Sequence, residues 1–272
     1  AMIHYNETRG FPMKILVTND DGILAEGLWI LVKELRNIAR VIVVAPDSEQ
    51  SATGTAVTLR QPLRTREVKP MVPEVETYAV AGTPSDSVIL ALGKLVTSKV
   101  ALVISGINKG MNLGDDVHIS GTVGAALQGH LRGFPALAIS ANWGNGYHHL
   151  DTAAKLAALL AKRVTSDSLP SDIFLNVNLP NLPVAKIGRA QITRLANESH
   201  INTVEEEDDG RGKCYRLTRQ RANSATDKKT DIGAIEQSNM SITPLHTNMS
   251  GKPSSPILDN LCSDLFQELQ KR

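Results

Sequence analysis

The chain has few aromatic residues and almost no net charge. Phe, Trp and Tyr make up only 4% of its 272 residues, and 29 Lys and Arg side chains nearly balance 28 Asp and Glu side chains. Proteins that hold nucleic acid usually present a basic face or a row of stacking aromatic rings. We therefore expect no stable nucleic-acid complex.

Cysteine is scarce and long apolar runs are absent. The two cysteines, Cys214 and Cys262, are far apart and do not form a CxxC pair, which excludes a disulfide framework and a Cys-rich zinc site. No apolar run approaches the roughly 18 residues of a membrane span. Residues 1–12 are polar and irregular, unlike a signal peptide. We expect a soluble, cytoplasmic protein without membrane contacts.

Several common functional motifs are missing as well. The sequence contains no GxGxxG after its first predicted strand, no GxxxxGK[ST], no GxSxG and no HExxH. A dinucleotide site, a P-loop, a serine hydrolase elbow and a zinc protease helix therefore lack support. If a metal binds, ligands other than Cys and clustered His favour Mg²⁺ or Mn²⁺ over zinc.

The first two thirds of the sequence alternate between strand-like and helix-like stretches. Short β-branched runs, typical of strands buried on both faces, include Lys14–Thr18, Val41–Ala45 and Val100–Ser105. Helical spacing follows them, as in Leu28, Leu31, Val32 and Leu35. This alternation predicts a three-layer α/β/α sandwich around a mostly parallel, Rossmann-like sheet, with residues 13–180 as its core.

The pattern changes after Pro180. Tyr215–Arg221 and Met240–Thr243 are strand-like, Glu205–Gly210 is typical of an acidic loop, and residues 251–272 end in an amphipathic helix, Ser255–Gln270. A long hairpin does not bury its own two faces and needs a partner. We predict that residues 181–250 form a strand and hairpin arm that packs on another subunit. The alternative is a surface insertion without a partner.

Two adjacent carboxylates follow the first predicted strand. Lys14–Thr18 continues into Asn19, Asp20, Asp21 and Gly22. The two carboxylates point to opposite faces within a strand, but they can converge where the glycine lets the chain turn. A divalent cation would relieve their mutual repulsion. The alternative is that one aspartate caps the following helix and the other is solvated.

Glycine-rich and hydroxyl-rich loops follow the next two strands. The loop after Val41–Ala45 contains Ser51 and Gly54, small residues that suit an oxyanion pocket. In Ser105–Asp116, glycines permit close approach of the backbone to a ligand, Asn108 offers a neutral oxygen to a metal, and Lys109 offers a positive charge to phosphate. The alternative is a turn-rich surface loop.

Two predicted helix starts carry hydroxyl groups. Ser120, Gly121 and Thr122 begin one helix, and Gly82 and Thr83 precede another. A helix N-terminus attracts anions through its free N–H groups and its dipole. Simple N-capping by the hydroxyls is the alternative at both places.

These segments together resemble the SurE family of survival proteins. The matching motifs are ILVTNDDG (Ile15–Gly22), APDSEQSATG (Ala45–Gly54), AGTPSDSV (Ala81–Val88), SGINKGMNLGDD (Ser105–Asp116), SGTVGAA (Ser120–Ala126) and SITPL (Ser241–Leu245). The resemblance implies a metal-dependent nucleotidase with a C-terminal hairpin that extends onto a neighbouring subunit. It also implies one divalent ion per subunit, Mg²⁺ or Mn²⁺, bound by Asp20, Asp21, Ser51 and Asn108.

The function expected from this resemblance is that of a 5′-nucleotidase. A metal-activated water would hydrolyse a nucleoside monophosphate, and the homo-oligomer would be a dimer or a tetramer. The residues that we expect to act on the phosphoryl group are Asn19, Asn112, Ser120, Gly121 and Thr122. Those that we expect to bind phosphate or substrate are Gly54, Gly82, Thr83, Lys109 and Gly110.

Two other functions are compatible with parts of the sequence. An Asp pair after the first strand also suits a covalent aspartyl-phosphate enzyme, but Asp20 and Asp21 are adjacent and lack that chemistry's DxDx[TV] spacing. A non-enzymatic, stress-linked oligomeric scaffold would use the ion only to hold the loops together.

Overall fold

A computed structural model of the chain describes residues 13–142, 149–166, 168–197, 201–208, 212–219 and 227–248, together with Leu265 and Gln270. The strands of these residues are β1 (Lys14–Thr18), β2 (Arg40–Pro46), β3 (Arg64–Glu67), β4 (Glu76–Ala81), β5 (Val100–Lys109), β6 (Ala136–Ala141), β7 (Phe174–Leu179), β8 (Ala190–Ile192), β9 (Ile201–Asp208), β10 (Lys213–Arg219) and β11 (Met240–Pro244).

The main sheet is mostly parallel. Within the described ranges it has nine strands in the order β3-β4-β2-β1-β5-β6-β7-β11-β8. The six central strands, β4 to β7 in that order, pair in parallel, whereas β3 and β11 run antiparallel to β4 and β7. Right-handed crossovers between parallel strands require helices on the faces of the sheet.

Helices cover both faces of this sheet. They are α1 (Glu26–Leu35), α2 (Pro84–Leu90), α3 (Gly121–His130), α4 (Leu150–Thr165) and α5 (Asp231–Glu236). Helix α1 packs against α4 and α2 packs against α3. The three-layer α/β/α architecture predicted from the sequence is therefore confirmed.

The core follows the apolar patterns of the sequence. Ile15 and Val17 of β1 belong to the cluster that contains α1 and α4, whereas Leu16 belongs to the cluster that contains α2. The predicted apolar face of α1 is fully buried, including Leu28 and Leu31. Burial on both faces explains why the strand sequences are continuous apolar runs.

The predicted boundary at residue 180 does not separate the sheet from the arm. Strands β8 and β11 join the main sheet, and β11 pairs with β7. Ile242 of β11 enters the core cluster, which explains why this strand belongs to the sheet. The separate antiparallel hairpin is formed by β9 and β10 alone.

The acidic loop predicted at Glu205–Gly210 is wrong for its first four residues, and the last two lie outside the described residues. Glu205 to Asp208 lie in β9 and pair with β10. The run of charges indicated a loop, but a strand can carry it because most of these side chains are exposed. In addition, Arg216 of β10 forms an ion pair of 2.6 Å with Glu207. Of the predicted closing helix Ser255–Gln270, only Leu265 and Gln270 are described; both are helical and exposed. No helix in the described ranges is long and apolar enough to cross a bilayer.

Candidate active site

Three strand ends converge at one edge of the sheet. Strand β1 lies between β2 and β5, so the loops that follow these strands meet at their carboxyl ends. They enclose a polar cleft of about 190 Å³ together with the start of α3. The residues that line the cleft are Asp20, Ser51, Ala52, Asn108, Lys109, Asn112, Asp116, Ile119 and Ser120. Ligands of open α/β sheets bind at such an edge.

Asp20 is held at the floor of the cleft. Its side chain is only 4% exposed, and the Thr122 hydroxyl of α3 donates a hydrogen bond to its Oδ1. Its carbonyl oxygen accepts from the N–H of Gln50 at 2.7 Å, which ties the loop after β1 to the loop after β2. Burial raises the pKa of the Asp20 carboxyl to about 6, with a smaller contribution from the charge of Asp21.

Asp21 is not among the residues that line the cleft, but it ties the loop after β1 to the end of β5. Its Oδ2 accepts a hydrogen bond of 3.2 Å from the backbone N–H of Lys109. Burial raises the pKa of the Asp21 carboxyl above its ordinary value, although the N–H and the ammonium group of Lys109 act in the opposite direction. Two neighbouring carboxylates whose charged forms are both disfavoured make a site that gains from a cation.

Two neutral groups complete the oxygen set expected for a metal. The Asn108 Nδ2 donates to the Gly110 carbonyl at 2.8 Å, and this assignment of the amide leaves Oδ1 as its acceptor end. The exposed Ser51 hydroxyl donates to Oε1 of Glu49 at 2.7 Å.

The chemistry of this set fits a hard divalent ion. The donors are two carboxylates, a hydroxyl and an amide oxygen, which suit Mg²⁺ or Mn²⁺ with water filling the remaining positions. In the described part of the chain, no group of three or more His, Cys, Asp or Glu side chains is arranged to hold a metal.

Asn112 is fixed by a buried polar network. Its backbone N–H donates to Oδ1 of Asn178 at 2.8 Å, and its Nδ2 donates to the Ser140 hydroxyl at 2.9 Å. Its carbonyl accepts from Nδ2 of Asn176 at 2.8 Å. Strand β6 therefore holds the side chain of Asn112 at the wall of the cleft, and strand β7 holds its main chain.

Ser120, at the start of α3, both caps the helix and faces the cleft where an anion could bind. The Ser120 hydroxyl accepts from the N–H of Val123 at 3.1 Å and is the N-cap, yet Ser120 also lines the cleft. Gly121 allows α3 to approach Asp20, because a Cβ there would lie 2.9 Å from the Cβ of Asp20. Helix α3 therefore presents its N-terminus to the cleft.

Other predicted residues support the cleft without lining it. Asn19 is fully buried, and its Nδ2 donates to the Gly22 carbonyl at 3.0 Å. Gly54 has a φ of +57° and its N–H donates to the Ile119 carbonyl at 2.8 Å, while Gly110 has a φ of +123°. These residues shape the turns that carry the cleft-lining side chains.

Gly82 and Thr83 are not among the residues that line the cleft. Thr83 and Asp86 form a capping box at the start of α2, and the Thr83 hydroxyl donates to the Ala56 carbonyl at 2.7 Å. The carboxylate of Asp86 also accepts from Thr58. Capping, the alternative weighed for this helix start, is the role that these contacts give to Thr83.

Three cleft-lining residues were not identified from the sequence: Ala52, Asp116 and Ile119. Asp116 is 2% exposed and lies in the short 3-10 helix Gly114–His118, at the end of the SGINKGMNLGDD motif. Its position at the end of that motif was the available signal. Ile119 carries an apolar side chain and gave no such signal.

Comparisons with known proteins point to one family. The sequence profile of the family described as "Survival protein SurE" matches residues 15–202. A protein of Dehalococcoides mccartyi (strain CBDB1) named 5′-nucleotidase SurE is 52% identical over 248 residues, which are 91% of this chain and 94% of that protein. A protein of the same name from Vibrio parahaemolyticus is 41% identical over 251 residues, covering 92% of this chain and 94% of its own length.

A solved structure has the same fold. The crystal structure of the SurE protein from Aquifex aeolicus superimposes with a TM-score of 0.78 at 32% sequence identity. The match covers 91% of this chain and 99% of that one.

Proposed function

Because the chain belongs to the SurE survival-protein family, we propose that it is a 5′-nucleotidase that hydrolyses the phosphomonoester of nucleoside monophosphates. The observation that carries the proposal is the convergence of Asp20, Ser51 and Asn108 in one polar cleft beside the N-terminus of α3, with Asp21 next to Asp20 and bonded to the N–H of Lys109. The relatives that are more than half identical over nearly the whole chain carry the name of this activity.

The proposal includes one divalent ion per subunit, Mg²⁺ or Mn²⁺. Asp20, Asp21, Ser51 and Asn108 would hold it, since they bring oxygen donors from three strand ends to the cleft. When bound, the ion polarises the phosphoryl group and makes water a better nucleophile at neutral pH. Thr122 and Lys109 orient the two carboxylates through the hydrogen bonds described above.

The protein's own groups would bind and orient the phosphoryl oxygens. The Lys109 ammonium group and the Asn112 amide line the cleft, and the start of α3 contributes its positive dipole end. Such fixed donors stabilise the charge that develops on the equatorial oxygens during phosphoryl transfer. Because β6 and β7 hold Asn112 rigidly, its amide needs little reorganisation during the reaction.

The β9–β10 hairpin would join two copies of the chain. One of its faces carries Val204, Tyr215 and Leu217, which are 61%, 66% and 72% exposed. Val204 and Leu217 are direct cross-strand partners, so they form one continuous apolar patch. A two-stranded hairpin with such a face is marginal in water by itself. We propose that a second copy of this chain covers it, in a dimer or a tetramer.

A panel of substrates tests this proposal. Phosphate release would be measured from nucleoside 5′- and 3′-monophosphates with Mn²⁺, Mg²⁺ or EDTA. Release that requires a metal and favours 5′-esters is the expected result. No release with either metal, from protein with native circular dichroism, would favour the non-enzymatic scaffold. A phospho-aspartate trapped with a fluoride analogue would favour the covalent alternative.

A further inference from the structure

The cleft loop that follows β5 is anchored to the C-terminal segment of the chain. Leu113 packs in a small apolar cluster with Ala196 and Ile232, and Met111 and Ile235 flank this cluster. Ala196 lies between β8 and the β9–β10 hairpin, and Ile232 lies in α5. The residues beside Asn112 and Asp116 therefore pack on a C-terminal segment whose described residues are not among those that line the cleft.

One carboxylate connects these segments directly. Oδ2 of Asp231 accepts a hydrogen bond of 2.8 Å from the N–H of Gly114 in the cleft loop. Its Oδ1 accepts from the N–H of Ala196 at 2.9 Å and from the N–H of Ile232 at 2.9 Å. Asp231 is fully buried, so each of these charge-assisted bonds is shielded from water.

Helix capping does not explain this arrangement. Aspartate is favoured in the first turn of a helix, and Thr230 already caps α5 by accepting from the N–H of Gly233 at 3.1 Å. Two of the three bonds that Asp231 accepts come from donors 117 and 35 residues away. A carboxylate that served the helix alone would lie at the surface, where it costs no desolvation.

We propose that Asp231 is a positioning residue for the cleft loop, and that it couples the placement of Asn112 and Asp116 to Ala196. We call Ala196, which precedes β9, the base of the hairpin. The inference rests on the proposed function, since it assigns a role in the same site. The coupling runs through main-chain groups: Gly114 lies between Asn112 and Asp116, and Ala196 precedes β9. A partner that moves the hairpin base would thereby shift the wall of the cleft.

The variant Asp231→Asn tests this link with little change in shape. A single amide oxygen can still serve the two N–H groups of Ala196 and Ile232. The amide nitrogen then faces the N–H of Gly114, and two donors cannot bond to each other. The substitution therefore breaks the bond to the cleft loop and keeps those to the hairpin base and α5. Asp227→Asn is the matched control, because Asp227 bonds to Arg194 and Lys229 in the same segment but not to the cleft loop.

Two readouts are needed, of which one is independent of activity. Amide hydrogen exchange, followed by mass spectrometry in the absence of metal, should be about tenfold faster in peptides covering residues 110–116 of Asp231→Asn. In Asp227→Asn these peptides should exchange at the wild-type rate. The kcat/KM for a nucleoside 5′-monophosphate should fall roughly tenfold or more in Asp231→Asn, as for other residues that orient a site from behind, and should stay near wild type in the control.

Several results would overturn the inference. Unchanged exchange of the loop in folded Asp231→Asn would do so, as would equal acceleration in both variants, or faster exchange with unaltered kcat/KM. If the wild type released no phosphate, the proposed function would fail, and exchange alone would decide whether Asp231 anchors the loop. If Asp231→Asn does not fold, Ile232→Val tests the same coupling. It removes one methyl group from the cluster with Leu113, and the same peptides should again exchange faster.

Discussion

The Thr122 hydroxyl, in the first turn of α3, donates a hydrogen bond to Oδ1 of Asp20, which lies 102 residues earlier in the chain. The bond joins the helix end expected to face phosphate to a carboxylate expected to face the metal. Asp20 is almost fully buried, so the direction of this bond fixes which oxygen of the carboxylate remains directed toward the cleft. Its loss should therefore affect the reaction more than the fold.

Replacing Thr122 tests this positioning. Thr122→Val keeps the shape of the side chain and removes the donor, and we expect phosphate release to fall about tenfold to a hundredfold. Thr122→Ser retains the hydroxyl and should keep most of the activity. Steady-state rates at saturating metal provide the comparison. Equal activity of the valine and serine variants would show that the hydrogen bond is dispensable.

The close approach of α3 to Asp20 depends on Gly121. A Cβ at this position would lie 3.0 Å from Oδ2 of Asp20 and 3.1 Å from Oγ1 of Thr53, so Gly121→Ala should displace the carboxylate and abolish most activity. Gly93→Ala is the matched control, since nothing lies within 4 Å of the added methyl group. It should leave activity unchanged and slightly raise the melting temperature, because alanine loses less backbone entropy. Activity of Gly121→Ala at the level of the control would contradict the packing argument.

The raised pKa of Asp20 predicts that the free energy of unfolding of the metal-free protein falls as the pH rises. The Asp20 carboxyl loses its proton near pH 3.8 in the unfolded chain and near pH 6 in the folded protein. Between these pH values the folded protein therefore holds one proton more than the unfolded chain. The contribution of Asp20 to stability is therefore greatest below pH 3.8 and is lost as the pH rises through 6. Asp20→Asn does not titrate. In EDTA, its free energy of unfolding relative to wild type should rise by about 2 kcal/mol between pH 4 and pH 8.

Urea denaturation at a series of pH values measures this difference. Asp151→Asn, at an exposed position in the first turn of α4, is the control for the same substitution outside the cleft. A gap between Asp20→Asn and wild type that does not change with pH would contradict the assigned burial of the charge. Added Mn²⁺ should stabilise the wild type and not Asp20→Asn, since ligand binding to the folded state raises stability.

Ser51 and Ser48 lie in one exposed loop but have different roles. Ser51 lines the cleft, whereas the Ser48 hydroxyl donates to Oδ1 of Asp47 at 3.3 Å. Ser51→Ala removes an expected neutral ligand and should weaken the apparent affinity for Mn²⁺ by about tenfold. Ser48→Ala should bind like the wild type. Isothermal titration calorimetry separates the two, and equal affinities would remove Ser51 from the ligand set.

The hairpin patch predicts the oligomeric state. Leu217→Glu places a charge in the apolar patch beside Val204 and should convert the oligomer to monomer. Leu159→Glu, at a leucine of α4 that is 60% exposed, should leave the assembly intact. Light scattering coupled to size exclusion gives the mass of each. A wild type that is monomeric, or a Leu217→Glu variant of wild-type mass, would exclude the hairpin as the interface.

The layers and most strands could be predicted because the sheet is buried on both faces. Runs such as Val41–Ala45 are apolar at every position only in such a setting, and the Asp pair directly after β1 indicated the edge that forms the cleft. Asp20 was found because it follows the end of β1, and Asn108 because it lies near the end of β5, where the topology itself brings side chains together. Gly82 and Thr83 follow the same pattern, yet their contacts serve the start of α2.

Two features could not be predicted for physical reasons. Strand β9 is rich in Glu and exposed, so neither its polarity nor its burial distinguishes it from a loop until its partner β10 is known. Asp231 accepts hydrogen bonds from residues 117 and 35 positions away, and local sequence patterns do not predict such distant contacts. The same holds for Asn176 and Asn178, whose side chains look like breaks in the strand β7 but fix Asn112.

The most direct test of the account is phosphate release from a nucleoside 5′-monophosphate by wild type and Asp20→Asn, each with Mn²⁺ and with EDTA. The cleft geometry predicts release by the wild type only with metal, and loss of nearly all release in the variant, with unchanged circular dichroism. Metal-dependent release at the wild-type rate by Asp20→Asn would contradict the assignment of this cleft as the active site.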